Sequence, residues 1–476
     1  MQTNNLVGGQ WLGGTADALD ITDPATGATI AQVPNFGADV AATAITAAAK
    51  ALPAWRSQTA QQRGGILRRL ADLMLANRDR LAALMVREQG KPMAEARGEI
   101  DYAASFIDWA AEEGKRVNGE VLPASHPGKR ILVLRQGVGV CAAITPWNFP
   151  AAMITRKLGP ALAAGCTMVI KPAEQTPLSA LALAELCVEA GVPAGVVNVV
   201  TGDAVAIGEE LLRNPIVRKL SFTGSTEVGR ILMRNAAQNL TRLSLELGGH
   251  APFLVFEDAD LERAVEGLMV AKFRNAGQTC ICANRVYVAE SIREQFGRML
   301  ASAIESLQVG QGDQAGVHVG PLIDDAALAK VESHVQDAIA HGATVLTGGQ
   351  RARLPGLADR FYQPTLLDNV SPKMRIYREE TFGPVCPLIP FGSEEEAIAM
   401  ANDSDFGLAA YFYTRDAGRL MRVAEALDYG IVGANDGAPS TVQAPFGGVK
   451  HSGFGREGGR YVMHEYLETK YVSWGL

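Results

Sequence analysis

Between residues 138 and 256 short apolar runs alternate with stretches of helical spacing, and this alternation restricts the fold more than any other feature of the chain. Val138 to Thr145, Thr167 to Ile170, Val196 to Val200 and Lys219 to Phe222 have the length and β-branched content of buried strands. Helical stretches near 151–164, 178–190 and 205–212, and one opening at Thr226, separate them. Strands joined through helices cannot pair as hairpins. They form a parallel, doubly wound sheet, which takes ligands at the carboxyl ends of its strands. A second alternation, from 252 to 435, repeats the scheme without repeating the sequence, and 476 residues exceed one core. The expected class is α/β, with two domains and a cleft between them.

The flanking segments read as accessories. Residues 6–35 are short strands broken by Gly8-Gly9, Gly13-Gly14 and Asp23-Pro24-Ala25-Thr26-Gly27. From 40 to 117 the spacing of Leu67, Leu70, Met74, Leu81 and Leu84, then of Ile100, Ala104, Ile107 and Ala111, predicts covering helices without chemistry, interrupted at Gly90-Lys91-Pro92. Asn118-Gly119 reads as a hairpin turn, and Ile131 and Val133 as part of a two-stranded excursion. Tyr471-Val472-Ser473-Trp474 would be a further strand, and such edges far from the chemistry suit assembly.

Composition excludes several classes. The net charge is −7, from 51 acids and 44 bases, with no basic run to track phosphates, so no nucleic-acid partner is expected. The six cysteines lack metal-ligand spacing and no HExxH pattern occurs, so no metal is expected. Met1 to Asn5 carry no basic leader, and the apolar run Ala161 to Ile170 is too short to span a bilayer. A reduced, cytoplasmic setting without a membrane partner follows.

Cys280 stands apart from the other cysteines. It lies in Phe273-Arg274-Asn275-Ala276-Gly277-Gln278-Thr279-Cys280, a polar, Gly-containing stretch that can present a thiol on a turn. Four other stretches supply candidate partners. Thr145-Pro146-Trp147-Asn148-Phe149-Pro150 is a rigid turn whose Asn amide suits an oxyanion, or is a structural turn. Leu245-Glu246-Leu247-Gly248-Gly249 sets a carboxylate among apolar neighbours, an environment that raises its pKa toward a general base, or leaves it merely hydrogen-bonded. Val169-Ile170-Lys171-Pro172-Ala173-Glu174 ends a strand with a cation and an anion, suited to a ribose or simply solvated. Phe222-Thr223-Gly224-Ser225-Thr226-Glu227-Val228-Gly229 opens a helix, suited to a pyrophosphate or an ordinary N-cap. Glu379 to Pro384 and Pro445 to Lys450 are Gly/Pro loops that line a site or only turn the chain.

Together, and in this order, these stretches resemble the aldehyde dehydrogenase family over nearly the whole chain. The resemblance implies two doubly wound α/β domains and a small β element for oligomerisation. It assigns 1–119, 133–250 and 448–463 to nucleotide binding, 251–447 to catalysis, and 120–132 with 464–476 to the oligomerisation of a homodimer or homotetramer. It implies Cys280 as nucleophile, Glu246 as general base, Asn148 as oxyanion donor with the Cys280 N–H, and Lys157 in the catalytic set. The thioester formed after hydride passes to the nicotinamide is hydrolysed to an acid. Lys171, Pro172, Ala173 and Glu174 would bind the adenosine ribose, and Gly224, Ser225 and Gly229 the pyrophosphate. Trp147, Asn148, Leu247, Glu380 and Phe382 would complete the cofactor site. Several NADP-preferring relatives carry Ser where this chain has Glu174, so NAD is the expected cofactor, with NADP possible.

Within the family the succinate-semialdehyde dehydrogenase branch is the most similar, through Ala152 to Lys157, Lys272 to Arg285 and Ala444 to Gly448. In that branch Arg156 and Arg274 correspond to carboxylate-binding arginines, with a hydroxyl from Ser440 or Thr441. An acidic aldehyde is therefore the expected small-molecule partner. Ala438-Pro439 departs from a bulkier aliphatic pair and admits glutarate or 2-oxoglutarate semialdehyde as alternatives, and a broad-specificity aldehyde dehydrogenase is the remaining one. Glu246 favours water over CoA for resolving the thioester.

Overall fold

The computed structural model describes residues 1–14 and 17–476. Two sheets form its centre. From edge to edge the first runs Gln10–Leu12, Asn5–Val7, Val197–Val199, Thr167–Lys171, Val140–Ile144, Val217–Thr223, Arg242–Glu246 and Gly453–Phe454. Its five central strands are parallel. Antiparallel strands from the two ends of the chain close its edges. Each strand of the first alternation is followed by the expected helix, namely Ala152–Ala163, Pro177–Glu189, Ala204–Arg213 and Thr226–Ala236.

Period-two alternation sends neighbouring residues to opposite cores. Cys141, Ala143, Met168 and Ile170 pack against the helices between 60 and 190. Val140, Ala142 and Val169 pack instead with Ala41, Ala44 and Ile45 of helix Ala38–Ser57. Burial on both faces explains why these strands read as continuous apolar runs.

The second sheet runs Thr344–Thr347, Thr365–Asp368, Val385–Phe391, Ala283–Ala289, Ala251–Val255, Ala409–Tyr413 and Ile431–Ala434, parallel but for its first strand. It is covered likewise on both faces. Leu254, Tyr287 and Ile389 point to one core, and Phe253, Val286 and Leu388 to the other.

A third, antiparallel sheet pairs Leu467–Gly475 with Lys129–Gly137 along their whole length and carries Glu120–Leu122 on the far edge. Val121, Tyr471 and Trp474 are exposed on it. The hairpin turn expected at Asn118-Gly119 lies instead at 123–128. Asn118 follows the 3-10 turn Gly114–Arg116 that prolongs helix Met93–Glu113, so no strand precedes it to be paired. Among the described residues no helix is long and apolar enough to cross a membrane.

The N-terminal helices have legible ends. Thr59 accepts from the Gln62 N–H while Gln62 accepts from the Thr59 N–H, a reciprocal cap that starts Ala60–Ala76. Helix Arg78–Gln89 stops at Gly90, whose φ of 92° is left-handed, and Pro92 opens the next helix. A Cβ on Gly90 would lie 2.7 Å from Pro321 Cγ. That turn aims Lys91 inward. Helix Met93–Glu113 then packs on Ala152–Ala163 at Gly159, where a Cβ would come within 3.1 Å of the Phe106 carbonyl.

Gly90→Ala is expected to destabilise the protein by about 1–3 kcal/mol through backbone strain alone. A lowered urea midpoint with unchanged far-UV circular dichroism would report it.

Candidate active site

Two cavities open between the sheets. One, of about 320 Å³, is lined by Tyr102, Phe149, Arg156, Arg274 and Ser440, among others. The second, of about 370 Å³, has Trp147, Gly224, Ser225, Leu247, Glu380 and Phe382 in its wall. Cys280 and Met153 belong to both. The thiol therefore sits where the cavities meet.

The loop that carries it is bent hard. Asn275, Ala276 and Gly277 have φ of 53°, 55° and 74°, three successive left-handed residues of which only the last is glycine. Such backbone persists when its surroundings over-determine it. Here the Asn275 N–H donates to Glu95 Oε2 (2.8 Å), and the Asn275 Oδ1 accepts from Gln89 Nε2 (2.9 Å). A Cβ on Gly277 would lie 2.2 Å from the Gly383 carbonyl, so the turn needs glycine there. Burial pushes the Cys280 thiol up to about 12. Arg156 and Arg274 pull it down, while Glu380 and Glu246 push it further up.

Asn148 closes the loop from the other sheet. Its Nδ2 donates to the Gln278 carbonyl at 3.0 Å, two residues before the thiol, while its buried Oδ1 has no protein partner. One hydrogen of that amide remains for a ligand oxygen beside Cys280.

Helix Ala152–Ala163 is buried on all sides, which a helix achieves when its whole circumference is packed. It nevertheless carries two adjacent cations. Lys157 Nζ donates to Thr223 Oγ1 (2.5 Å) and pairs with Glu457 Oε1, and Arg156 lies 3.6 Å from Glu457 Oε2. Glu246 stands beside this group with both carboxylate oxygens buried and unpartnered. Burial, then the charge of Glu457, hold its carboxyl far above the usual range, against Lys157 and Arg156. Glu246 is turned toward Gly447, where a Cβ would lie 2.9 Å from its Oε1, and it lines neither cavity in this conformation.

The second cavity has the features of a dinucleotide site. Ser225 caps helix Thr226–Ala236 and lines the cavity with Gly224, so the helix N-terminus faces it. Gly229 admits Leu247 against that helix, since a Cβ would lie 2.6 Å from Leu247 Cδ2. The Trp147 and Phe382 rings meet edge to face at 5.6 Å. Glu380 accepts the Gly249 N–H at 3.0 Å, and burial raises its carboxyl to about 7. Lys171, at the end of its strand, pairs with the part-exposed Glu174; these two, like Pro172 and Ala173 between them, lie outside the cavity wall. A backbone cradle without Cβ atoms, an aromatic wall and a carboxylate at a strand end fit a nicotinamide dinucleotide. Among the described residues no cluster fit to hold a metal occurs.

The sequence pattern of the aldehyde dehydrogenase family spans residues 11–472. The chain belongs to the aldehyde dehydrogenase family. It is 58% identical over 472 residues to the succinate-semialdehyde dehydrogenase [NADP(+)] of Escherichia coli, covering 99% of this chain and 97% of that one. It is 56% identical to a glutarate-semialdehyde dehydrogenase of Pseudomonas putida, covering 98% and 96%. The crystal structure of a succinate-semialdehyde dehydrogenase from Burkholderia pseudomallei superposes with a TM-score of 0.98 at 55% identity, over 100% of this chain and 98% of that one.

In this aldehyde dehydrogenase the first cavity holds both sequence-singled arginines, in different states. Arg156 Nη2 donates to the Tyr102 hydroxyl (2.5 Å) and to Ser440 Oγ (3.2 Å), with its guanidinium 4.1 Å from the Phe446 ring centre. Arg274 has no carboxylate within salt-bridge distance among the described residues; a buried Nε without a hydrogen-bond partner is common to both arginines, and Arg156 Nη1 lacks one as well. Of the two candidate hydroxyls Ser440 lines the cavity, whereas Thr441 turns to Gln443 and does not. Ala438 and Pro439 are also off the wall.

The helices expected to lack chemistry are corrected by the structure. Helix Met93–Glu113 supplies Glu95, Gly98, Glu99 and Tyr102 to the cavity wall. Glu95, Glu99, Tyr102 and Phe106 recur at helical spacing as a second, polar and aromatic stripe, a signal that counting aliphatic residues passes over. Glu457, a lone acid in a glycine-rich loop, gave no periodic signal at all.

With its thiol pushed up to about 12, Cys280 is protonated in the cofactor-free protein at neutral pH. Its alkylation by iodoacetamide, followed on the Cys280 peptide by mass spectrometry, is expected to rise about tenfold per pH unit from 7 to 9, without the plateau an ordinary thiol of pKa ~8.5 approaches.

Proposed function

We propose that this aldehyde dehydrogenase oxidises succinate semialdehyde to succinate with a nicotinamide dinucleotide. The observation that carries the reading is Arg274, an unpaired cation in the wall of the cavity that ends at Cys280. A distal carboxylate supplies the partner it lacks. The names of the Escherichia coli and Burkholderia pseudomallei relatives support the same substrate. Glutarate semialdehyde is the second reading, from the Pseudomonas putida relative. With Ala438 and Pro439 off the wall, the sequence departure that favoured a longer substrate loses its physical basis.

Glu246 loses its proton as it swings from its buried place beside Gly447 into the cavity; Cys280 Sγ then attacks the aldehyde carbon and its proton passes to the Glu246 carboxylate. The resulting oxyanion takes hydrogen bonds from Asn148 Nδ2 and the Cys280 N–H. A nicotinamide dinucleotide, which Gly224, Ser225, Glu380 and Phe382 would hold, would supply the two-electron acceptor for oxidation of this adduct to a thioester. Glu246 hands the thiol's proton to solvent before it takes a proton from water, which attacks the thioester carbon, and Cys280 leaves as the thiolate as the carboxylic acid forms. Lys157 and Glu457 set the charge around Glu246.

The nucleotide-binding unit comprises 1–119, 133–250 and 448–463, the catalytic unit 251–447, and the assembly element 120–132 with 464–476, except that strand Lys129–Gly137 pairs throughout with Leu467–Gly475 and so carries the assembly element on to Gly137. Exposed Val121, Tyr471 and Trp474 support homodimers or homotetramers built through that element. Free cysteines support a cytoplasmic, reducing setting. NAD is the preferred cofactor, because an acidic Glu174 at the ribose position opposes a 2′-phosphate. Its exposure allows it to move aside for NADP once its pair with Lys171 is broken.

Two measurements test these readings. Arg274→Ala is expected to raise KM for succinate semialdehyde by about tenfold or more, the worth of one charged hydrogen bond, while kcat/KM for propanal changes less than about threefold. Equal losses on both substrates would remove the carboxylate role. Glu174→Ser is expected to shift the ratio of kcat/KM for NADP over NAD upward by about tenfold, ~1.4 kcal/mol; an unchanged ratio would place cofactor choice elsewhere.

A further inference from the structure

The turn Gly90-Lys91-Pro92 lies outside both cavities, yet it delivers a fully buried ammonium to the oxyanion turn. Lys91 Nζ makes three contacts. It pairs with Glu99 Oε2 at 2.5 Å, donates to the Asn148 carbonyl at 2.8 Å, and sits 4.0 Å from the centre of the Phe149 ring. Glu99 is fixed in turn, since its Oε1 accepts the Ala151 and Ala152 N–H groups at 2.9 and 3.2 Å. The other lone pair of the Asn148 carbonyl is taken by Asn275 Nδ2 at 3.0 Å, from the nucleophile loop.

A carbonyl held by two donors fixes the plane of its peptide, and with it the direction in which the Asn148 side chain leaves the backbone. That side chain bonds the Gln278 carbonyl, so its remaining hydrogen has a single position relative to Cys280. We infer that Lys91 is a positioning residue for the oxyanion site, acting only through Asn148: the Lys91–Glu99 pair locks the Asn148 peptide so that its amide stays pointed at the reacting oxygen. The inference rests on the proposed role of Asn148 as oxyanion donor. A buried pair of this kind contributes little net stability. It contributes a fixed direction, which is what electrostatic preorganisation requires.

A double-mutant cycle on the full-length enzyme, saturated with NAD, tests it. Lys91→Met and Asn148→Ala are made singly and together, and the burst rate of NADH formation is divided by the number of titratable Cys280 thiols. Lys91→Met is expected to slow the burst about 100-fold, the effect of losing one oxyanion donor, and to change it less than about twofold once Asn148 is alanine. If the two losses multiply instead, Lys91 does not act through Asn148 and the inference is overturned. If Asn148→Ala leaves the burst unchanged, the oxyanion reading itself fails and takes this one with it. Should Lys91→Met not fold because Glu99 is left as an unpaired buried charge, the Lys91→Met/Glu99→Gln variant replaces it in the same cycle, with the same two outcomes deciding.

Discussion

One carboxylate makes the centre of this molecule possible. Glu457 is the acid paired with two consecutive buried cations, Arg156 and Lys157, on a helix that has no exposed face. Removing one partner of such a group strands the other charges in low dielectric, at about 3–5 kcal/mol. The chain therefore has to bring its C-terminal glycine loop back across the first sheet, and the reciprocal Phe446–Glu457 backbone bonds of 2.7 Å hold it there. The same cluster sets the condition of Glu246. With two cations and one anion already in place, an ionised Glu246 would bring the group to neutrality, yet burial and the nearness of Glu457 keep its carboxyl protonated far above the usual range. Base strength and burial come from the same packing.

Reactivity at Cys280 is governed by a similar opposition. Desolvation keeps the thiol in its unreactive form while the two arginines draw it toward the thiolate. A thiol held between two cavities is protected by a protonated resting state, because a free thiolate in an open cleft is also open to oxidation. The neighbouring Cys282 is buried, with its sulfur 3.3 Å from Lys272 Nζ. It belongs to the packing behind the loop.

Sequence legibility followed the physics of each element. The parallel sheets were readable because strands buried on both faces must be continuously apolar, and the turns at their carboxyl ends because Pro, Gly and Asn leave few conformations. Trp147, Gly224, Leu247, Glu380 and Cys280 all sit at such ends or turns and all line the cavities. Tyr102, Glu95 and Glu99 were hidden by a helix with two stripes, of which the aliphatic one faces the core and the polar one faces the site. Which of Ser440 and Thr441 meets the cavity is a matter of one residue of phase in an irregular loop, and no periodicity encodes it. Asn118-Gly119 carried turn chemistry without a hairpin, because a turn dipeptide states only where the chain bends.

The substrate cavity joins these threads. Arg156 spends its charge on Glu457, and its remaining contacts go to the Tyr102 and Ser440 hydroxyls and to aromatic faces. Arg274 rests on the Phe149 ring at 5.3 Å with no counter-ion in bonding distance, although Glu95 stands in the same wall and binds the Asn275 backbone. Two arginines of one cavity thus differ in kind. The first shares one carboxylate with Lys157 and offers hydrogen bonds fixed by the Tyr102 and Ser440 hydroxyls. The second has no ion pair within bonding distance and acts on Glu95 only through space, where burial raises the carboxyl and Arg274 pulls it down. On the proposed substrate, preference for an acidic aldehyde over a neutral one would rest on Arg274, and discrimination by length on Arg156, Tyr102 and Ser440, which are hydrogen-bonded to one another.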